Sequence, residues 1–103
     1  MKDYQKAGIR AGVEAARSLT YDLRSSAADH GWHPDIVSSI HVYYDGNAMK
    51  IHVPKHLTTE VHKLEYGTET QRPTAVMRKF NNRQHVINNT IVKALGRQLG
   101  GKL

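Results

Sequence analysis

The segment from Ser38 to Val53, SSIHVYYDGNAMKIHV, limits the possible folds more than any other part of the chain. Two alternating runs flank Asp45-Gly46, a dipeptide favoured in two-residue hairpin turns because both central positions need positive φ. Closing on that turn pairs Tyr44 with Asn47, Val42 with Met49, and Ile40 with Ile51. The apolar residues then share one face, while His41, Tyr43, Lys50 and His52 share the other. A slip of one residue would exchange the faces, so the register is protected against it. The expectation is a β-hairpin over 36–53, packed on one side and polar on the other. Two strands are too few to stand alone. A further strand, or a neighbouring subunit, is therefore expected to complete the sheet.

The flanking segments carry helical periodicity. Over 3–29, Ile9, Val13, Ala16, Leu23 and Ala27, joined by Thr20, recur at helical spacing on one narrow side, with Glu14, Asp22 and Ser25 away from it. The pattern predicts a long amphipathic helix with a small inner face, ended by the Gly31 and Pro34 of HGWHPD. After Pro54, the residues Leu57, Val61 and Leu64 predict a short helix over 55–66, with Gly67 as its C-terminal cap. A polar loop over 67–72 leads to Pro73, a residue suited to a first helical turn. Val76, Phe80, Ile87, Ile91 and Leu95 then mark a long helix over 73–99, fading into GGKL. The weak helix formers of NNRQH make a kink or break in its middle no surprise. The order is that of an α+β domain: long helix, hairpin, short helix, long helix.

At 103 residues this is one domain. Burial of roughly 65% of the unfolded surface at this size gives one modest core. The absence of cysteine removes disulfides and thiolate metal sites. No apolar run has the length of a signal segment or a membrane span. We therefore expect a soluble protein made in a cytoplasm.

The formal charge of +6 is unevenly spread. Residues 1–52 hold six bases (Lys2, Lys6, Arg10, Arg17, Arg24, Lys50) and six acids (Asp3, Glu14, Asp22, Asp29, Asp35, Asp45), which cancel. From residue 70 onward there are seven bases (Arg72, Arg78, Lys79, Arg83, Lys93, Arg97, Lys102) and no acid. That end should meet something acidic, either nucleic acid or an acidic protein face. On a projection of the last helix, Lys79, Arg83, Lys93 and Arg97 fall within roughly 80° of one another. No acid four residues away neutralises this stripe. It has no helix-turn-helix or zinc-finger spacing, so it would grip a phosphate backbone without reading bases.

Catalytic and metal signatures are missing. There is no Gly-rich phosphate loop, no nucleophile elbow and no carboxylate pair placed for acid–base work. Glu60 and Glu65 are expected as surface charges. His41 and His52 lie diagonally on one hairpin face, but a metal site wants three or four ligands with a supporting shell. His30, His33, His56, His62 and His85 are scattered. No cofactor is expected. A basic ribonuclease-like enzyme, with Arg, Lys and His around a phosphate, is the one catalytic style left open.

One stretch carries a resemblance. LEYGT, a short polar gap, and then RPTAVMRKF, spanning Leu64 to Phe80, resembles the small tail-completion, or neck, proteins of long-tailed bacteriophages. Glu65, Tyr66, Gly67 and Thr68 would be the motif, with Pro73 and Arg78 its second half. The departure is at Thr74-Ala75-Val76-Met77-Arg78, where the familiar form often has an aromatic after the proline and a second proline after an arginine. The resemblance implies a structural virion protein without enzymatic activity. It implies a ring, commonly of six subunits, at the head–tail junction, assembled in the host cytoplasm. Its partners would be neighbouring head–tail connector and tail tube or terminator proteins, with non-specific contact to passing DNA and no membrane. Within that frame, Glu65 is expected to bond Arg72 or Arg78, of its own chain or the next. Tyr66 would either anchor a subunit contact or cap its own core. The alternative reading is a small basic nucleic-acid-binding protein.

Overall fold

A computed structural model describes residues 3–99. Met1, Lys2 and the GGKL end, with Lys102, lie outside the described residues. The elements are α1 (Asp3–Asp29), α2 (Pro34–Ser39), β1 (His41–Tyr44), β2 (Met49–His52), α3 (Thr58–Tyr66), α4 (Val76–Asn81) and α5 (Gln84–Gln98). A single 3-10 turn, Lys55–Leu57, precedes α3. The chain is thus α+β, with a long helix at each end and a small antiparallel hairpin between them. Among the described residues the sheet has two strands, and no helix is long and apolar enough to cross a membrane.

α1 is the spine. Its 27 residues reach about 40 Å, so the molecule is elongated at 53 × 24 × 20 Å. Its radius of gyration of 15.6 Å exceeds the roughly 13 Å of a compact domain this size. The buried face of α1 is not the narrow stripe the periodicity predicts. Ala11 and Ala15 pack on Ala94 of α5, while Ala16, Leu19, Leu23 and Ala27 enter the main core with Trp32, Ile36, Ile40, Val42, Val61, Val76 and Ile87. The buried face therefore winds around the helix as its partners change. Ile9 and Val13, expected inside, are each 44% exposed. Gly12 lets β1 approach, since a Cβ there would meet the Tyr44 ring at 2.3–2.6 Å.

Three boundaries differ from expectation. Residues 36–39, expected in the hairpin, belong instead to α2, which is begun by Pro34 at its first turn and by His33 Nδ1 accepting from Asp35 N–H at 3.1 Å. The hairpin pairs Val42 with Ile51 and Tyr44 with Met49, two residues away from the predicted register. Asp45 causes this. Its carboxylate accepts from both Asn47 N–H and Ala48 N–H at 2.8 Å, folding 45–48 into a four-residue loop. A shift of two keeps every side chain on its face, so the packed and polar sides stand as expected. His41 and His52 become direct neighbours, not diagonal ones, with ring centroids 4.9 Å apart. Finally, the helix expected over 73–99 is two helices. Pro73 lies in a loop, α4 starts at Val76, and the chain breaks at Asn82 and Arg83, where Arg83 takes φ −98°, ψ 51°.

Candidate functional site

The stretch from Leu64 to Phe80 forms a closed loop around one carboxylate. α3 ends on Glu65 and Tyr66, and Gly67 follows with φ +82°, ψ 176°, its N–H donating to Lys63 O at 2.8 Å. This glycine caps the helix, though in an extended positive-φ conformation and not the left-handed helical one. The chain then doubles back. Thr68 N–H donates to Gln71 O at 2.9 Å, and Thr68 Oγ1 accepts from Gln71 N–H at 3.1 Å. A Cβ on Gly67 would meet Gln71 O, Pro73 N and Pro73 Cδ at 2.7–2.9 Å. Beyond Pro73 the strand of chain lies against the end of α3, with Thr74 N–H donating to Leu64 O and Ala75 N–H to Glu65 O. Thr74 Oγ1 donates to Leu64 O at 2.8 Å and accepts from the buried Trp32 Nε1 at 3.0 Å. The loop is thereby tied to the core.

Glu65 is the centre of this arrangement and is only 3% exposed, contrary to its expected place on the surface. α4 needs a cap that Ala75, at φ 53°, ψ 33°, has no side chain to supply. Glu65 supplies it from α3: Oε1 accepts from Met77 N–H at 2.8 Å, and Oε2 from Arg78 N–H at 3.0 Å. Arg78 Nε donates to Oε2 at 3.0 Å, and its terminal NH2 donates to Glu65 O at 2.7 Å. Of the two expected partners, Arg78 of the same chain is the one engaged. Arg72 and Pro73 sit exposed on the loop, as does Thr68, and Arg72 forms no ion pair among the described residues.

Tyr66 faces outward at 52% exposure. The Arg78 guanidinium lies 4.3 Å over its ring, and His62 stands 4.7 Å away, centroid to centroid. Both neighbours pack against the ring and leave the residue half exposed. A pre-ordered aromatic beside an arginine is the composition enriched at the centres of protein interfaces. Tyr66 does not cap the core of its own chain.

The basic stripe does not survive as one face. Lys79 lies on α4, Arg83 in the break and Lys93 on α5, all exposed. Arg97 is engaged by α1: its Nε donates to Glu14 Oε1 at 2.6 Å, and Gln98 Nε2 donates to Glu14 Oε2 at 3.1 Å. Those bonds, from Gln98 first and then Arg97, hold the Glu14 carboxyl below its ordinary pKa. An acid 83 positions away neutralises what no nearby acid does. Among the described residues no group of three or more His, Asp or Glu converges as a metal site. At the hairpin, burial, then the neighbouring His52 and Arg24, lower the pKa of His41.

The site residues that the sequence left unassigned are Trp32, Thr74 and Ala75, which brace the loop, and Thr20 and Arg24, which contact β1. Comparison of the chain with protein-family models, curated proteins and solved structures returned no match.

Proposed function

We propose that this chain is a structural virion subunit, a neck or tail-completion protein of a long-tailed phage. It acts by assembling into a ring at the head–tail junction and catalyses no reaction. The observation that carries this reading is the Glu65–Arg78 lock, which closes the EYGT loop on itself and leaves Tyr66 exposed beside Arg78. A loop with its polar groups internally satisfied costs little to order on binding. The Tyr66–Arg78 pair is then a ready half of a heterologous contact, and one such pair of complementary patches, repeated, closes a ring. Arg72, Lys79, Arg83 and Lys93 supply positive charge toward acidic surfaces of adjoining rings or passing DNA.

The hairpin takes a smaller part than the sequence implied. Head-to-tail extension of the sheet around a ring needs two free edges, and β1 has its outer edge occupied by α1. The loop therefore carries the contact.

The test is assembly with purified tails, followed by light scattering and negative-stain imaging. The unmodified chain forms rings, alone or on tails. Tyr66→Ala stays folded, because the side chain is half exposed and makes no hydrogen bond among the described residues, but does not assemble. A compact particle that ignores tails and shifts a DNA or RNA fragment would overturn the reading. It would favour the second one, a small nucleic-acid-binding module. That module draws its support from Lys79, Arg83 and Lys93, which have no acid partner among the described residues.

A further inference from the structure

The two edges of the hairpin are treated differently by the rest of the chain. The alternation of inward and outward backbone groups is set at the loop, where Asp45 N–H donates to Ala48 O at 3.2 Å. By the observed register, Tyr43 and Lys50, then His41 and His52, turn their backbone groups toward each other. Val42 and Tyr44 on β1, with Ile40 just before it, and Met49 and Ile51 on β2, turn theirs outward.

Along this edge the outward groups of Val42 and the Ile40 carbonyl are taken. Val42 N–H donates to Thr20 Oγ1 at 2.8 Å, and the same hydroxyl donates to Ala16 O at 2.7 Å and lies 3.2 Å from Val42 O. Arg24 Nε donates to Ile40 O at 2.8 Å, and its terminal NH2 to Ser38 O at 2.9 Å. α1 thus plugs the β1 edge with two side chains. On β2, nothing among the described residues bonds the outward groups of Met49 and Ile51. Nor does the run from Met49 to Val53 contain a proline, a bulge or a core-facing charge, the usual devices that keep an edge from pairing.

We propose that the free edge of β2 is a self-association surface, pairing antiparallel with β2 of a second copy about a two-fold axis through Ile51. The product is a four-stranded sheet in the order β1–β2–β2–β1. The occupant follows from register. Centred on Ile51, the pairing sets Ile51 against Ile51 and Met49 against Val53 on the packed face, extending one apolar layer across the axis. On the other face Lys50 stands against His52, and the charge of each Lys50 is compensated by its own Asp45 at 2.8 Å. Centring on Lys50 would set two lysines opposite each other. Each outward pair exchanges two N–H···O bonds. Because β1 is plugged, the sheet ends at four strands, and the association closes at a pair without running on into a fibre.

This inference stands apart from the ring reading, and its test separates the two. The chain has no cysteine, so a single introduced thiol reports on its own surroundings. In a hydrogen-bonded antiparallel pair the facing Cα atoms are about 5.5 Å apart, within disulfide reach. Under mild oxidation Ile51→Cys yields a covalent dimer, and Tyr43→Cys, on the plugged strand, does not. On the unmodified chain, amide hydrogen exchange at Met49 and Ile51 slows as protein concentration rises, while that of Val42 is unchanged. Tyr66→Ala, which breaks ring assembly, leaves the Ile51→Cys cross-link intact. Exchange at Met49 and Ile51 that ignores concentration, or cross-linking at Tyr43→Cys as readily as at Ile51→Cys, would overturn the proposal.

Discussion

Replacing Glu65 by glutamine keeps the shape of the side chain and removes the charge that three donors have been arranged around. Two of those donors are the backbone N–H groups that open α4, and the carboxylate is buried, so the loss falls on charge-assisted bonds in a dry setting. Arg78 is nearly half exposed, which discounts the ion pair itself. Glu65→Gln should then cost about 1.5–3 kcal/mol in urea unfolding. Glu60→Gln, at an exposed position of the same helix, should stay within about 0.5 kcal/mol of the parent. Gly67→Ala meets two obstacles, a positive φ and backbone atoms under 3 Å from its new methyl. A loss of about 2–3 kcal/mol is expected, together with a weakened hold on Tyr66, read as faster proteolysis between Thr68 and Arg72. Gly67 was legible in the sequence because glycine after a helix has few other uses. Glu65 was not, because its principal partners are backbone N–H groups that leave no mark on the sequence. Ala75 was equally hidden, since alanine rarely adopts positive φ.

The hairpin shows what elements reveal and conceal. Alternation gave the faces, and a two-residue error in register left them unchanged. The Asp45 carboxylate, which widened the turn by bonding Asn47 and Ala48, is a side-chain effect that a dipeptide rule omits. In α1, Ile9 and Val13 share the spacing of core residues yet lie 44% exposed, while Ala11 and Ala15 pack on α5 and Leu19 joins the expected Ala16, Leu23 and Ala27 in the core. The strand faces bear on pH. His41 is desolvated and lies beside His52 and Arg24, so its pKa in the folded chain is below the ordinary value near 6.5. The unfolded chain therefore binds the proton more tightly, and stability present above pH 6.5 is lost as pH falls toward the folded-state pKa. The melting temperature should drop between about pH 7.5 and about pH 5.5. His41→Gln should flatten that drop. A profile of equal slope in the variant would remove His41 as its source.

At the scale of the whole molecule the charge matters more than the fold. A continuous basic helix of four residues would have formed a cationic ridge, but the break at Asn82 and Arg83 splits it, and Glu14 neutralises Arg97 through the α1–α5 packing. No sequence rule places an acid from the first helix against a base near the last, because their contact exists only once the two helices are antiparallel neighbours. The consequence is measurable. Each phosphate neutralised contributes about 0.9 to the slope of log K against log salt, so Lys79, Arg83 and Lys93, even if all engaged at once, give a slope no steeper than about −3. Binding to a labelled duplex, followed by anisotropy, should be detectable at about 50 mM salt and fall close to background near 150 mM. Glu14→Gln should release Arg97 and steepen the slope by about one, which ties the test to a named contact and not to net charge alone. A slope near −6 in the unmodified chain would require Arg10, Arg17 and Arg72 together to join the footprint. In that case nucleic acid, and not an acidic ring, would be the partner this surface is built for.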